Sequence, residues 1–255
     1  MAIIKVKDLC VDYGHVRVLE NINLNVNKGE FLGIIGPNGG GKTTLLKVLL
    51  GLIKPTKGEL KVNNKRPIGY VPQFSNFDRG FPISVLDVIL LGALDGKIKF
   101  LHKFKKDQIR KAEDIMDSLE ILDFKDRQIS QLSGGQLQKV LIARALMVEP
   151  EIMILDEPTA SLDANAKTDI YNLLKKLNKD KTIIVVSHDM GVINSYIDTV
   201  ACLNKHLHYH GDDTKLNKNT LEKVYGCPVE LVAHGPTPHR VLRVHEEDED
   251  DNRSL

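Results

Sequence analysis

A phosphate-binding pattern occupies residues 36–43, which read Gly36-Pro37-Asn38-Gly39-Gly40-Gly41-Lys42-Thr43. The spacing is that of a P-loop, in which a glycine and four further residues precede Gly-Lys-Thr. Glycines let successive backbone N–H groups turn toward one anion without a Cβ in the way. Lys42 can then reach the β- and γ-phosphates, and the Thr43 hydroxyl can ligate Mg²⁺. The pattern predicts a site for a nucleoside triphosphate.

The segments on either side of this loop support the same interpretation. Residues 31–35 form an apolar run typical of a buried strand, and residues 45–50 predict a helix that ends at Gly51. The N-terminus of that helix would add unpaired N–H groups and partial positive charge to the loop. A glycine-rich surface turn that merely carries a lysine would not need this strand and helix.

An acidic pair, Asp156-Glu157, follows the apolar run 152–155. That run suits a strand covered on both faces, and an acid at its carboxyl end lies beside the P-loop, where open parallel sheets bind ligands. Asp156 is therefore expected to hold Mg²⁺, and Glu157 to orient or deprotonate an attacking water. The alternative is a helix-capping pair, because Pro158-Thr159 follows. A P-loop in the same chain favours the catalytic interpretation.

A second loop rich in serine and glycine, Leu132-Ser133-Gly134-Gly135-Gln136, precedes a helix with apolar periodicity. It predicts a second anion site at a helix N-terminus. The same five residues match, without a mismatch, the signature motif of the ATP-binding cassette (ABC) ATPases. The chain resembles that family over about residues 1–235, and the other family landmarks occur in the expected order.

The resemblance implies roles for residues whose types alone do not decide them. Tyr13 matches the aromatic residue that stacks on adenine, Gln73 the Q-loop glutamine, and His188 the switch histidine. Taken singly, these could be a strand tyrosine, a loop amide and a structural histidine. The implied catalytic residues are Lys42, Gln73, Glu157 and His188, and the implied Mg²⁺ ligands are Thr43, Gln73 and Asp156. The implied nucleotide-binding residues are Tyr13, Gly36, Pro37, Asn38, Gly39, Gly40, Gly41, Lys42, Thr43, Thr44, Ser133, Gly134, Gly135, Gln136 and Asp163, the last of which belongs to a D-loop.

The order of elements predicts an α/β fold: a P-loop NTPase core with an antiparallel β subdomain and an inserted α-helical lobe carrying the signature motif. Alternating runs over residues 1–30 indicate antiparallel strands, and residues 58–62 indicate another strand. Helical periodicity is clearest over residues 108–122. We divide the chain into a nucleotide-binding core at 1–73 and 148–225, the lobe at 74–147, and a C-terminal extension with an acidic tail at 226–255.

Composition narrows the function classes. The chain has 255 residues, of which 42% are hydrophobic, and a net charge of +1, which gives no strong bias toward nucleic acid. Residues 97–111 hold seven Lys or Arg and one acid; we interpret them as a solvated face, with anionic lipid as the alternative partner.

No run of about 18 apolar residues predicts a membrane span. The N-terminus resembles a strand rather than a signal peptide, and the three cysteines lie far apart, so reduced thiols in the cytosol are expected.

Among ABC proteins, the chain looks like the separate ATPase subunit of an importer. Only 59 residues lie between Gln73 and Ser133, too few for the long coiled coil of chromosome-maintenance ATPases. Residues 80–92, 230–235 and 238–240 are similar to the zinc- or manganese-type metal importers. Iron-chelate importers share parts of this pattern, and a soluble scaffold ATPase of iron–sulfur assembly type is a further alternative.

The resemblance also implies cofactors and partners. The cofactors are ATP and Mg²⁺, and the assembly is a homodimer in which each nucleotide lies between one chain's P-loop and the other chain's signature loop. An integral membrane permease is the expected partner and a substrate-binding protein an indirect one, with no nucleic acid; the chain would lie peripherally on the cytoplasmic face of the membrane. Phe74, Phe77 and Phe81, close to Gln73, predict the permease contact within residues 74–94.

Three alternating histidines, His206, His208 and His210, would share one face of a strand. Further histidines and six consecutive acids at 246–251 lie toward the C-terminus. Half-exposed strand histidines and a solvated tail are the expected interpretation, and a regulatory metal site is the alternative.

Overall fold

A computed structural model describes residues 1–73, 81–94, 103–187, 196–212, 224, 229–234 and 237–242. The strands are β1 (Ala2–Tyr13), β2 (Val16–Asn27), β3 (Phe31–Ile35), β4 (Lys57–Val62), β5 (Gly69–Val71), β6 (Ile152–Asp156), β7 (Thr182–Val186), β8 (Thr199–Asn204), β9 (His206–Asp212), β10 (Val229–His234) and β11 (Thr237–Leu242); the helices are α1 (Lys42–Leu49), α2 (Val85–Leu90), α3 (Lys106–Ser118), α4 (Gly134–Leu146) and α5 (Ala164–Asn178).

A six-stranded sheet in the order β5-β6-β7-β3-β8-β9 forms the centre of the molecule. Its first five strands are parallel, and β9 adds to β8 in the antiparallel direction. Every residue of β3, β6 and β7 is buried, as expected for parallel strands covered on both faces. Because the strands are parallel, the loops after β3 and β6 emerge at the same edge, with only β7 between them.

A three-stranded antiparallel sheet, β2-β1-β4, covers one face of the central sheet. The α1 helix lies between the two sheets, and its leucines belong to the same apolar cluster as residues of β1, β2 and β3. The predicted antiparallel strands at the N-terminus and the strand at 58–62 are therefore present. This packing fixes α1, and with it the loop that opens α1.

The inserted helices α2, α3 and α4 join α5 on the opposite side, in a second apolar cluster that includes residues of β3 and β7. The helix predicted over 108–122 is shorter at its C-terminal end than expected, since α3 ends at Ser118. Glu120 adopts a left-handed backbone conformation with φ of 58°, which a continuing helix does not allow. Residues 122–124 instead form a separate 3₁₀ turn.

Near the C-terminus, β10 and β11 pair as an antiparallel hairpin. The acidic tail at 246–251 lies outside the described residues, and the three-part division of the chain remains a prediction. Among the helices described, none combines the length and the apolar character needed to cross a bilayer.

Candidate nucleotide-binding site

The P-loop connects β3 to α1 and takes a path that requires glycine at two positions. A Cβ on Gly36 would lie 1.8 Å from the carbonyl oxygen of Leu203 in β8, so no larger residue fits. Gly41 is the N-cap of α1 with φ of 92°, in the left-handed region, and a Cβ there would lie 2.6 Å from Leu19 Cδ2. The loop backbone is therefore pressed between β8 and β2, with the N-terminus of α1 opening at its end.

Lys42 is held inside the loop. Its Nζ donates hydrogen bonds to the carbonyl oxygens of Gly36, at 2.9 Å, and Pro37, at 2.8 Å. Only 6% of the residue is exposed. Burial lowers the pKa of the Lys42 ammonium, while the nearby carboxylates of Glu157 and Asp156 raise it. An anion in the loop would therefore meet a partly desolvated cation, for which electrostatic attraction is stronger than in water.

Asp156 is the last residue of β6 and is almost fully buried, with 4% exposed. Burial raises the pKa of its carboxyl group and the charge of Glu157 adds to this, while the Thr43 hydroxyl and Lys42 oppose it. A buried carboxylate beside a hydroxyl provides the hard oxygen donors that Mg²⁺ prefers. A bound cation would also relieve the unfavourable burial of negative charge, so Thr43 and Asp156 fit the predicted ion.

Glu157 begins the loop after β6 in a left-handed conformation, with φ of 48°. Its backbone N–H donates to the carbonyl of Val186 at 3.0 Å, which ties this turn to the end of β7. Its carboxylate accepts a hydrogen bond of 2.8 Å from the Gln73 side-chain amide. The two predicted catalytic residues, 84 positions apart in the chain, are thus in direct contact.

An open cavity of about 480 Å³ joins these groups; it is lined by Val18, Asn38, Gly39, Gly41, Lys42, Thr43, Thr44, Gln73 and Glu157. All but Val18 were predicted from the sequence. Val18 lies in β2, just after the β1–β2 turn, and its type carries no chemical signal. Tyr13, at the end of β1, is 48% exposed and does not line the cavity.

The signature loop is not part of this cavity. Ser133 caps α4: its hydroxyl accepts a hydrogen bond from the Gln136 N–H at 3.2 Å, while its own N–H donates to Gln136 Oε1 at 2.9 Å. Asp163 caps α5 in a similar way, accepting from the Ala166 N–H at 2.9 Å. The predicted signature and D-loop residues therefore start two helices, and His188 lies outside the described residues.

Comparison with known proteins identifies the family. The ABC transporter family profile matches residues 19–160 of the chain. The chain belongs to the ABC transporter family. It is 39% identical over 227 residues to a probable metal transport system ATP-binding protein of Thermotoga maritima, covering 88% of this chain and 91% of that protein. It is also 39% identical to the manganese transport system ATP-binding protein MntB of Listeria innocua, covering 89% and 98% of the two chains.

Solved structures confirm the α/β fold of this ABC cassette. An inward-facing structure assigned to a metal-chelate type ABC transporter is similar with a TM-score of 0.83 and 30% identity, covering 95% of this chain and 98% of that one. The ATP-binding cassette MJ0796, as a post-hydrolysis dimer bound to ADP and Pi, gives a TM-score of 0.66 at 31% identity, covering 82% and 98%. The cassette is thus an ATP-binding domain, with its P-loop inside the matched region.

The alternative of a regulatory metal site gains no support from the described residues. No three His, Cys, Asp or Glu side chains are grouped there closely enough to hold a metal ion. His206 contacts Glu20 at 3.6 Å and lies edge-on to His208, with ring centroids 6.3 Å apart. His210 instead points toward the buried Glu30 at 3.9 Å.

Proposed function

We propose that this cassette is the ATP-hydrolysing subunit of an importer for a divalent metal ion, zinc or manganese, acting with a separate membrane permease. The observation that carries the proposal is the convergence of Lys42, Gln73 and Glu157 on one cavity above the P-loop. The names of the metal and manganese transport relatives, at 39% identity over most of the chain, support the substrate class.

In the proposed reaction, loop N–H groups and Lys42 bind the triphosphate. Thr43, Asp156 and Gln73 would hold Mg²⁺, which would neutralise phosphate charge when bound. Glu157 orients the attacking water and accepts its proton. Gln73 donates to the carboxylate that must receive this proton. The Gln73 side chain therefore has to turn away from Glu157 or share the Glu157 carboxylate with the water. The position of Gln73 thus controls when Glu157 can accept the proton.

The cassette is proposed to act as a homodimer. Ser133, Gly134, Gly135 and Gln136 lie outside the cavity of their own chain, although they open a helix whose N-terminus suits an anion. A second chain would bring its signature loop to the γ-phosphate, with Asp163 and Tyr13 completing the nucleotide contacts and His188 the catalytic set. The dimeric MJ0796 cassette bound to ADP and Pi supports this arrangement.

The permease contact is proposed within residues 74–94, which places the cassette at the cytoplasmic face of the membrane. Phe74 and Phe77 lie outside the described residues. Phe81 is 60% exposed and Leu91 is 45% exposed, so both offer apolar surface to a partner. Because Gln73 immediately precedes this segment, a bound permease would respond to the nucleotide, and the substrate-binding protein would act on the cassette only through the permease.

An importer of iron chelates is the second candidate. It is favoured by the similarity to the metal-chelate type transporter structure, at 30% identity, whereas the named metal and manganese relatives are 39% identical. The scaffold ATPase of iron–sulfur assembly has no such observation in its favour. Uptake by proteoliposomes that contain the chain and its permease distinguishes the candidates: ATP-dependent uptake of manganese or zinc ions supports the proposal, and uptake of a ferric chelate alone contradicts it.

A mixing experiment tests the shared site. Ser133→Arg is expected to leave ATP binding by the single chain intact and to abolish hydrolysis, because the substitution acts on the partner's nucleotide. Mixed with Lys42→Ala chains, it should restore hydrolysis in heterodimers that keep one intact composite site. If Ser133→Arg lowers ATP affinity in the isolated chain, the signature loop binds nucleotide within its own chain and the shared-site proposal is wrong.

A further inference from the structure

Gln138, in the second turn of α4, is completely buried yet its side chain is unsatisfied. Its exposed fraction is 0%, and neither Nε2 nor Oε1 has a hydrogen-bond partner in the part of the chain that the structure describes. Buried polar side chains nearly always have partners, and each unpaired group destabilises its state by about 1–3 kcal/mol. A leucine or methionine would fill the same space without that penalty. The amide therefore needs an explanation.

Helix geometry directs Gln138 toward the loop that follows the catalytic residues. Successive residues of a helix are rotated by about 100°, so Gln138 points between the directions of Gly134 and Gly135, one turn further along. A Cβ on Gly134 would lie 2.8 Å from Leu162 Cδ2, and one on Gly135 would lie 3.2 Å from Ala166 Cβ. Side chains on helices also lean toward the N-terminus. The Gln138 amide thus lies on the face of α4 that packs against residues 157–166.

The segment 157–163 links Glu157 to this face of α4. It starts at Glu157, passes the buried Thr159, covers Gly134 with Leu162 and ends at the N-cap Asp163. Its internal backbone bonds are long, at 3.3 Å from the Ala160 N–H to the Glu157 carbonyl and 3.2 Å from Leu162 to Thr159. These turn bonds are at the long end of the normal range, so little holds the segment in this one arrangement. A shift of the segment would bring different polar groups against the buried amide.

We propose that Gln138 is a positioning residue that couples the signature loop to residues 157–163. Its unpartnered amide disfavours the arrangement of α4 and residues 157–163 seen in the single chain. The amide gains hydrogen bonds from residues 157–163 once ATP is bound between two chains. A group that interacts differently with two arrangements shifts the population between them. This inference rests on the proposed function, because it requires an ATP-dependent dimer. It gives Gln138, which lies outside the nucleotide cavity, a role in closing that dimer.

Gln138→Leu and Gln138→Met test the proposal, with two readouts that move in opposite directions. Without nucleotide, the thermal unfolding midpoint should stay the same or rise, because a buried unsatisfied amide has been removed. In the Glu157→Gln background, the ATP-dependent dimer should dissociate roughly 10- to 100-fold more readily by analytical ultracentrifugation, because the closed arrangement has lost the amide's hydrogen bonds. ATP affinity of the single chain should not change.

Val140→Ala is the matched control, since Val140 is equally buried and points to the opposite side of α4. It should lower the unfolding midpoint and leave the dimer constant unchanged. A lower midpoint for both Gln138 variants would mean that the amide is already satisfied, by protein or by a buried water, and would overturn the proposal. An unchanged dimer constant for either folded variant would also overturn it. If the Glu157→Gln parent forms no dimer with ATP, the proposed shared-site function itself fails, and the coupling role fails with it.

Discussion

Replacing Glu157 with glutamine is expected to separate ATP binding from ATP hydrolysis. The substitution removes the group that we propose accepts a proton from water, and it keeps the size of the side chain. General-base catalysis contributes about 10²- to 10⁴-fold to a rate, so hydrolysis should fall by that factor. This corresponds to an activation barrier raised by about 2.7–5.5 kcal/mol.

The surroundings of Glu157 explain why binding should survive. A glutamine at 157 can turn its carbonyl oxygen toward Gln73 and keep the 2.8 Å hydrogen bond. The left-handed backbone at 157, with φ of 48°, and the N–H bond to Val186 do not depend on the carboxylate. The loss of one negative charge beside Lys42 leaves the Lys42 cation in place and should strengthen, rather than weaken, the proposed attraction of Lys42 for the triphosphate.

The assay measures phosphate release, equilibrium binding of a labelled ATP analogue and size-exclusion elution with ATP and Mg²⁺. The variant should bind the analogue at least as tightly as the parent. It should also elute as a dimer with ATP, because in the proposed mechanism ATP that is not hydrolysed keeps the chains together. Glu151→Gln, at the base of β6 and outside the cavity, is the matched control and should hydrolyse normally. Hydrolysis by Glu157→Gln within about threefold of the parent rate would rule out a general-base role.

Three further outcomes are expected. Lys42→Ala should weaken binding of a labelled ATP analogue at least about tenfold, because a charged hydrogen-bonding group is lost; unchanged affinity would mean that the loop binds another ligand. Phe81→Glu should abolish metal uptake with the permease but spare the basal ATPase rate of the isolated chain, and normal uptake would place the contact elsewhere. Glu30→Gln should lower the free energy of unfolding by about 1–3 kcal/mol at pH 7, and this loss should become progressively smaller below pH 4.5. Urea titrations at pH 7 and pH 3 measure the difference.

The sign of the Glu30 effect follows from its surroundings. Burial raises the pKa of the Glu30 carboxyl group. The His210 ring, the Thr199 hydroxyl and the Asn27 N–H together lower this pKa by more than burial raises it, so the net shift is downward. A group whose pKa is lowered by folding stabilises the native state above its unfolded pKa, and this contribution disappears as the pH falls through the folded pKa. A Glu30→Gln deficit that is equal at pH 3 and pH 7 would contradict this assignment.

The sequence predicted local patterns well because each is fixed by short-range chemistry. A stretch of a few residues is enough to recognise the P-loop glycines, the apolar strands and the Asp156-Glu157 pair. The contact between Gln73 and Glu157 could not be derived from the residues alone, because it depends on β5 pairing with β6 across a long insertion. The end of α3 was also missed, since the left-handed Glu120 has no residue type that demands it.

The signature loop shows a different limit. Ser133 and Gln136 were predicted as phosphate contacts, and the same two residues form a capping box in their own chain. The pattern Ser-x-x-Gln ahead of an apolar helix predicts both, because a phosphate and a capping side chain use the same unpaired N–H groups. Only a structure can show which partner those groups have, and in the proposed homodimer the phosphate belongs to the nucleotide on the second chain.

The proposed site therefore works by exchanging partners rather than by adding them. Lys42 donates to its own loop carbonyls, Gln73 to Glu157, and Ser133 and Gln136 to each other. Replacing one hydrogen bond by another of similar kind changes the free energy little, so Gln73, Ser133 and Gln136 give geometry more than net affinity. Lys42 differs, because exchanging neutral carbonyls for a phosphate also pairs opposite charges. The free energy that stabilises the closed dimer must then come from interactions that the single chain without ATP does not make. These are charge neutralisation at the phosphates and, on our inference, the hydrogen bonds of the Gln138 amide. Conservative changes at Ser133, such as Ser133→Thr, should accordingly weaken dimerisation less than Gln138→Leu does.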